Sequence, residues 1–379
     1  MKLSRSIWEY IRPINNRNKD WKITNLLGIN IDKFFMPSVA NIIGTDLSVY
    51  KIVKKWQFAC NRMHVWRDMR IPIAVSRSDD DFIVSPAYDV FEIKDEDLLL
   101  PEYLMMWFSR AEFDRNTWFY TDADVRGAIS WGAFCNLPIP VPDITKQQEI
   151  IDEYFVIQDR IKLNETLIMK LEDTAQALYK QWFVKNLDLE NLPEGWKISC
   201  LSKIADYLNW LAMQNFEPNE NQDSLPVIKI RELNLGKTDN ASWRSKINIP
   251  KKYIIENWDI IFSWSWSLVI DIWAWWIWWL NQHLFKVTSE KYPKWFIYWW
   301  TKYHLDEFIK IADGNKTSMW HIKREHLDDA LVLVPENETF IKYNNIMEPI
   351  LVVIILKKIE LRKVHDMKDL ILAKMASVR

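Results

Sequence analysis

Glycine is scarce in this chain: 379 residues contain only 7, where an average soluble protein would hold roughly 27. So few printed glycines cannot supply the left-handed turn positions that a strand-rich chain needs. Cysteine is also sparse. Cys60, Cys135 and Cys200 are far apart and odd in number, which excludes a disulfide framework and a paired-cysteine metal site and suits a reducing cytoplasm. The opening "MKLSRSIWEYIRP" has no apolar signal core. The aliphatic run Ile350 to Leu356 is far too short to cross a bilayer. With a net charge of −2, no global basic field points to nucleic acid, so any such surface has to be local.

Tryptophan is what is present instead, at 23 residues, and the excess is close to the glycine deficit. "WAWWIWWL" (Trp273 to Leu280) places five indoles in eight positions, a pattern that fits neither a helix face nor an alternating strand. Read with glycine at four of the five, it becomes a loop leading into a strand. "IENWDIIFS" (Ile255 to Ser263) looks like a turn before a strand, a place where Gly-Asp is common. Trp56 in "VKKWQFACNRM" takes the same place as Trp258. An internal repeat agrees. "VRGAISWGAFCNLPIPVPD" (Val125 to Asp143) lies over "SMWHIKREHLDDALVLVPE" (Ser318 to Glu336) and sets Trp320 on Gly127. Upstream, "YDVFEIK" (Tyr88 to Lys94) matches "QHLFKVT" (Gln282 to Thr288), one residue out of that register.

The reading that follows is that many of these tryptophans are UGA codons decoded as glycine, as some bacterial lineages do; the other reading is a truly Trp-rich chain. Trp8, Trp21, Trp56, Trp66, Trp210, Trp258, Trp266, Trp275, Trp276, Trp278, Trp279 and Trp320 belong to the recoded group. Trp107, Trp118, Trp131, Trp182, Trp196, Trp264, Trp273, Trp295 and Trp300 sit where an indole is wanted. Trp243 and Trp299 are undecided.

Periodicity sets the organisation. Residues 1–144 read as short strands and turns with one helix near Pro101 to Phe113. From 145 to 190 runs a helix of about 33 residues, about 50 Å long. Its seam (Ile150, Tyr154, Ile157, Ile161, Asn164, Ile168, Leu171, Ala175, Leu178, Trp182) steps by alternating four and three, and Asn164 could fix register. Residues 191–336 form a second strand-rich domain after "LPEGWK". Residues 337–379 close with another long helix, its seam broken by Lys357 and Lys368 and its start kinked or delayed by Pro349. The fold class is α+β: two mixed globules spaced by two long helices that can pair antiparallel as a ruler.

Chemistry-bearing motifs are missing. There is no phosphate loop, dinucleotide fingerprint, H-E-x-x-H or methyltransferase-type Asn/Asp-Pro-Pro-aromatic motif, and restoring glycines creates neither of the first two. "RSDDDF" (Arg77 to Phe82) reads as a solvated loop rather than a metal-dependent nuclease centre. His283 and His321 lack a carboxylate at defined spacing and read as polar surface rather than general bases. Polar and basic clusters are more informative. Arg62, His64, Arg67, Arg70 and Arg126 gather in the first half. Ser265, Ser267, Asn281, Gln282, His283, Lys316, Thr317, His321, Lys323 and Arg324 gather in the second. Amides suit adenine, arginine suits guanine, and lysine and threonine suit phosphate; solvated loops are the plain alternative.

On "LPIPVPDITKQQEIIDEYFVIQDRI", on "LEDTAQALYKQWFV" before "LPEGWK", and on "TSMWHIKREHL" before "LVLVP", the chain resembles the specificity subunit of type I restriction-modification systems. "SPAYDVFEI" and "DVRGAISWGAFCNLPIPVP" in the first half are equally typical, and the resemblance covers essentially the whole chain. The family's usual form has glycine where Trp320 stands. The resemblance implies two target recognition domains, each reading half of a bipartite DNA site, and spacer helices that dock two modification subunits. It also implies a cytoplasmic complex with a translocating ATPase-nuclease subunit, with S-adenosylmethionine, ATP and magnesium held by the partners and no cofactor or catalysis in this chain. Two alternatives stay open. A single-chain restriction or modification enzyme with a diverged site would need a catalytic motif. A non-DNA scaffold with aromatic loops for a sugar or membrane surface would need genuine tryptophans.

Overall fold

The computed structural model describes residues 5–377, apart from 40–43, 64, 122–126, 186–189, 210–212, 220–222, 236–241, 247–248, 275 and 315–320. The chain divides into two compact units, Met1–Arg160 with Val364–Arg379, and Ile161–Lys363. Both units take a share of two long helices, Ile144–Lys180 and Asn337–Lys374. The first is 37 residues, or about 56 Å, longer than the expected 33, and it runs on into a π-helical turn at Gln181–Lys185. None of the ten seam positions is exposed.

The two units repeat one architecture. In unit 1 the strand order is Ile11–Ile14, Asp89–Ile93, Phe58–Cys60, Ile73–Val75; in unit 2 it is Asp206–Leu208, Leu284–Thr288, Ile260–Ser263, Ile270–Ile272. All pairings in these sheets are antiparallel. The turn entering the third strand is the same in detail. Trp56 N–H donates to the Ser76 carbonyl at 2.8 Å and Trp258 N–H to the Trp273 carbonyl at 2.8 Å. The next side chain closes each turn: Gln57 accepts from Lys54 N–H at 2.9 Å, and Asp259 from Glu256 N–H at 2.8 Å.

Those turns need a left-handed residue. Trp56 has φ 63° and Trp258 φ 78°, and Trp21 (56°) and Trp266 (63°) share that region. A bulky residue there is an outlier, whereas glycine adopts it freely. All four belong to the recoded group, and none of the nine indole-requiring tryptophans has a positive φ. Of the remainder, Trp8, Trp66 and Trp276 are exposed, while Trp210, Trp275 and Trp320 lie outside the described residues. Trp278 and Trp279 are buried in the strand Trp278–Leu280 with unpartnered indole N–H groups. Trp107 and Trp300 of the other group share that defect, so indole satisfaction does not separate the groups, and backbone conformation marks Trp21, Trp56, Trp258 and Trp266 but not Trp8, Trp66, Trp276, Trp278 or Trp279.

Three sequence expectations need correction. The helix near Pro101 to Phe113 is two helices, Pro101–Phe108 and Ala111–Phe119, because Arg110 is extended (φ −75°, ψ 139°). Pro349 does not delay the last helix, which starts at Asn337 and runs through it. The match of Tyr88–Lys94 to Gln282–Thr288 is also displaced. Phe58, two residues beyond one turn, faces Phe91; Ile260, two beyond the other, faces Val287 rather than Phe285. A two-residue slip keeps every side chain on its face of the sheet, so hydrophobic alternation could not detect it.

The unit 1 core stacks Phe58 on Phe91 at 5.1 Å and adds Phe108, Phe134, Ile150, Tyr154, Leu372 and Met375. The unit 2 core joins Phe262, Phe285, Trp295 and Phe296 to Tyr179 and Phe183 of the first helix and to Met347, Leu351 and Ile355 of the second. The second helix also holds an 18-residue window of mean hydropathy 1.4, long and apolar enough by composition to cross a membrane, although no single uninterrupted run is. Buried Met347, Leu351, Ile354 and Ile355 account for part of that apolarity. All three thiols are free and buried. Burial pushes the Cys135 thiol up to about 11 and the Cys60 thiol up as well. Because the thiolate is the nucleophile, Cys60 and Cys135 should resist iodoacetamide at neutral pH in the native protein and react once denatured. Peptide mapping of labelled sites checks this; rapid native labelling of Cys60 would contradict it.

Candidate functional site

Several of the polar residues singled out in the second half converge at one end of the unit 2 sheet. Asn281 Oδ1 accepts from His283 N–H at 3.0 Å, and Leu284 N–H returns to the Asn281 carbonyl at 3.1 Å. This side-chain-closed turn fixes where the strand Leu284–Thr288 begins. Opposite, the strand Ile260–Ser263 runs out into Trp264 and Ser265. Ser265 Oγ lies 3.1 Å from His283 Nδ1, and Gln282 Nε2 lies 3.3 Å from His283 Nε2. The Trp264 ring packs on two imidazoles, its centre 6.0 Å from that of His283 and 5.9 Å from that of His321, the latter edge-on. Its indole N–H donates to the Gln282 carbonyl at 3.2 Å.

A third segment completes the cluster. Ser265 forms an antiparallel bridge with His321, and Ile322 N–H donates to the Trp264 carbonyl at 3.0 Å. Three stretches distant in sequence thus bring together Ser265, Gln282, His283 and His321 around one indole. Ser265 and Asn281 are buried, Gln282, His283 and His321 are half-buried, and Ser267 is exposed, 3.5 Å from Asn234 Nδ2. Arg324 donates to the Tyr207 carbonyl at 3.3 Å and Asn209 Oδ1 at 3.2 Å. Lys323 is exposed and 3.2 Å from Glu325. Lys316 and Thr317 lie outside the described residues.

Unit 1 uses the same place differently. Ile129 N–H donates to the Arg62 carbonyl at 3.3 Å, the counterpart of the bond from Ile322 to Trp264. The Arg62 guanidinium is turned inward, onto the Asp89 carboxylate and the Ile129 carbonyl, 6.0 Å from the Trp131 ring. Arg67, on the short helix Val65–Asp68, forks onto Asp68 at 2.7 and 3.0 Å. Arg70 reaches Asp32 at 2.9 Å. Each of these arginines therefore has a carboxylate partner. Arg67 and Arg70 are exposed, and solvent-screened surface pairs of that kind hold weakly, so a phosphate can displace the acid. His64 and Arg126 lie outside the described residues.

Burial lowers the His283 pKa below the usual histidine range, leaving the ring neutral at pH 7. Among the described residues its side-chain hydrogen-bond partners are a hydroxyl and an amide, with no carboxylate placed to orient it as a base. The arrangement offers hydroxyl, amide and imidazole groups beside an indole, the kinds of group that read base edges. Trp264 was read from sequence as a genuine indole but not as a site residue, and Asn209 and Asn234 were not singled out. Trp264 could have been found by carrying the shared turn forward to Arg62, but the two asparagines had no local signal.

No family model matches the chain. The type I restriction enzyme HindI specificity subunit of Haemophilus influenzae is 27% identical over 188 residues, 47% of this chain and 40% of that protein. The type I restriction enzyme EcoBI specificity subunit of Escherichia coli is 26% identical over 172 residues, 44% of this chain and 34% of that protein. The chain thus spans less than half the length of the curated relatives it matches. In fold it is similar to the crystal structure of the type I restriction-modification S subunit from M. genitalium, with a TM-score of 0.57, 12% identity, 98% of this chain covered and 95% of that one.

Proposed function

We propose, from this likeness to type I specificity subunits, that the chain is the DNA-reading, non-catalytic component of a type I restriction-modification complex in the cytoplasm. Each unit reads one half of a bipartite site. The two long helices pair antiparallel, space the units and dock two modification subunits, to which exposed Leu163, Met169, Val353 and Leu356 offer apolar surface. Restriction subunits complete the assembly. S-adenosylmethionine, ATP and magnesium belong to those partners, with none bound here. The observation that carries the reading is the convergence of Ser265, Gln282, His283 and His321 on one indole, at the place where unit 1 carries Arg62.

The test is substitution in both units. Arg67→Ala is expected to weaken recognition of one half-site, and His321→Ala or Lys323→Ala of the other. A base contact shifts sequence preference by about 1–3 kcal/mol, whereas a phosphate contact weakens all sequences alike and flattens the salt dependence. Methylome sequencing of cells expressing each variant with its partner subunits reads the sequence preference, and binding measured across a range of salt concentrations reads the affinity and its salt dependence. Unchanged affinity and preference in all three variants would return these loops to plain surface.

A further inference from the structure

Gln282 is held by its neighbour in a way that makes its recognition chemistry conditional. A neutral imidazole has one N–H and one lone pair. A carboxamide nitrogen can only donate, so with Gln282 Nε2 at 3.3 Å, His283 Nε2 must accept and the ring proton sits on Nδ1. That proton donates to Ser265 Oγ at 3.1 Å. Gln282 Oε1 has no partner among the described residues, and the second amide N–H lies beside it. An acceptor next to a donor is the pair that matches adenine N6 and N7 in the major groove.

Protonation reverses the pair. A proton from solvent adds to Nε2, which then donates and no longer accepts. The Gln282 amide turns over, giving Oε1 to the ring and leaving both N–H groups outward, a donor pair that suits guanine O6 and N7. Resting on the DNA-reading function above, we infer that the His283 protonation state selects which base Gln282 reads, adenine with the neutral ring and guanine with the charged one.

Among the described residues, His321 is the one other imidazole beside Trp264, and the remaining charges around His283 have partners of their own. From its own strand the nearest charge is Lys286, 2.7 Å from Asp259. The strand leading to Trp264 brings Ser263 and Ser265, both uncharged. The 321 segment brings His321, across the Trp264 ring, then Lys323 with Glu325 and Arg324 on Tyr207 and Asn209. Desolvation is the influence that lowers the His283 pKa, so the switch operates on the acid side of neutrality.

The experiment selects bound duplexes from a randomised pool with the full chain at about pH 7.5 and about pH 5, with circular dichroism confirming the fold at both. Expected is one position where adenine, preferred at the higher pH, gives way to guanine by about tenfold. His283→Phe, which keeps a ring against Trp264, should abolish the pH dependence of that position. Nitrogen NMR of the imidazole in the free protein should report the Nδ1–H tautomer near neutrality. Selection of the same base at both pH values, or an Nε2–H tautomer, would overturn the inference while leaving DNA reading intact. No selected sequence at either pH would defeat the DNA-reading function and this inference with it.

Discussion

Replacing Trp21, Trp56, Trp258 and Trp266 together by glycine should stabilise the protein by about 4 kcal/mol. Each residue is held at a positive φ, a conformation that costs a non-glycine residue about 1–3 kcal/mol. Glycine removes that cost and returns somewhat less than 1 kcal/mol through the freedom it adds to the unfolded chain. Little packing is lost at Trp21 and Trp266, which are exposed. The opposite is expected of Trp295→Gly. This side chain is fully buried, its N–H donates to Asn344 at 2.8 Å, and its removal costs about 3–5 kcal/mol. Denaturant midpoints of the two variants should move in opposite directions. In the source organism the four positions should read as glycine in tryptic peptides and as UGA in the gene, with the remainder of the recoded group alongside them. Tryptophan at most of them would end that reading.

Lys358→Ala should cost unit 2 about 2 kcal/mol. Removing one member of a fully buried ionic group costs about 3–5 kcal/mol, but Lys358, Glu172 and Asp271 keep 19%, 26% and 32% of their side-chain surface exposed, so solvent screens part of the loss. Lys358 lies 2.5 Å from Asp271 and 3.3 Å from Glu172, and Lys302 lies 3.4 Å from the other Glu172 oxygen. Four elements meet there: both long helices, the strand Ile270–Ile272 and the helix Lys294–Tyr303. Burial is the largest single influence on both groups and opposes ionisation. The two lysines nonetheless hold Glu172 below the usual carboxylate range, and the two acids raise Lys358. The lowered Glu172 therefore contributes stability that is complete above about pH 4.3 and lost as pH falls through its folded value. The raised Lys358 contributes stability that is complete below about pH 10.4 and lost as pH rises through its folded value. Between these limits the cluster's contribution should be flat. The double variant Glu172→Gln with Lys358→Ala should lose less than the two single variants summed; simple additivity would mean the charges act independently.

Much of this architecture was legible because it is local or periodic. The heptad seam from Ile150 to Trp182 needs only spacing, and the two turns at Trp56 and Trp258 announce themselves by misplaced bulk. Sheet register was not legible, since a two-residue slip between Phe285 and Val287 leaves the hydrophobic alternation intact. Nor was Pro349, whose position inside a helix is decided by the packing of Met347, Leu351 and Ile355 rather than by its own preference. At the candidate site, sequence supplied the residue types. It could not supply the meeting of Ser265, Gln282 and His321, which depends on three segments closing on one another across the end of a sheet. Arg62 shows the converse limit, because its cluster looked free for a ligand and the fold turned it onto Asp89.

Unit 1 is assembled from residues 1–160 and 364–379, and Leu372 and Met375 close its core against Ile150 and Tyr154. During synthesis, then, the first unit to emerge is the last to be finished. Its sheet can form early, but Ile150, Tyr154 and their neighbours stay uncovered until more than 200 further residues have been translated. For that interval the ribosome carries a nascent chain with an apolar notch, the kind of exposed surface that chaperones hold and that drives misassembly. Residues 161–363 have all their parts sooner. A chain cut short after Lys363 should accordingly retain a folded unit 2 and deliver unit 1 to proteases, although the deletion lies at the opposite end of the sequence from the damage.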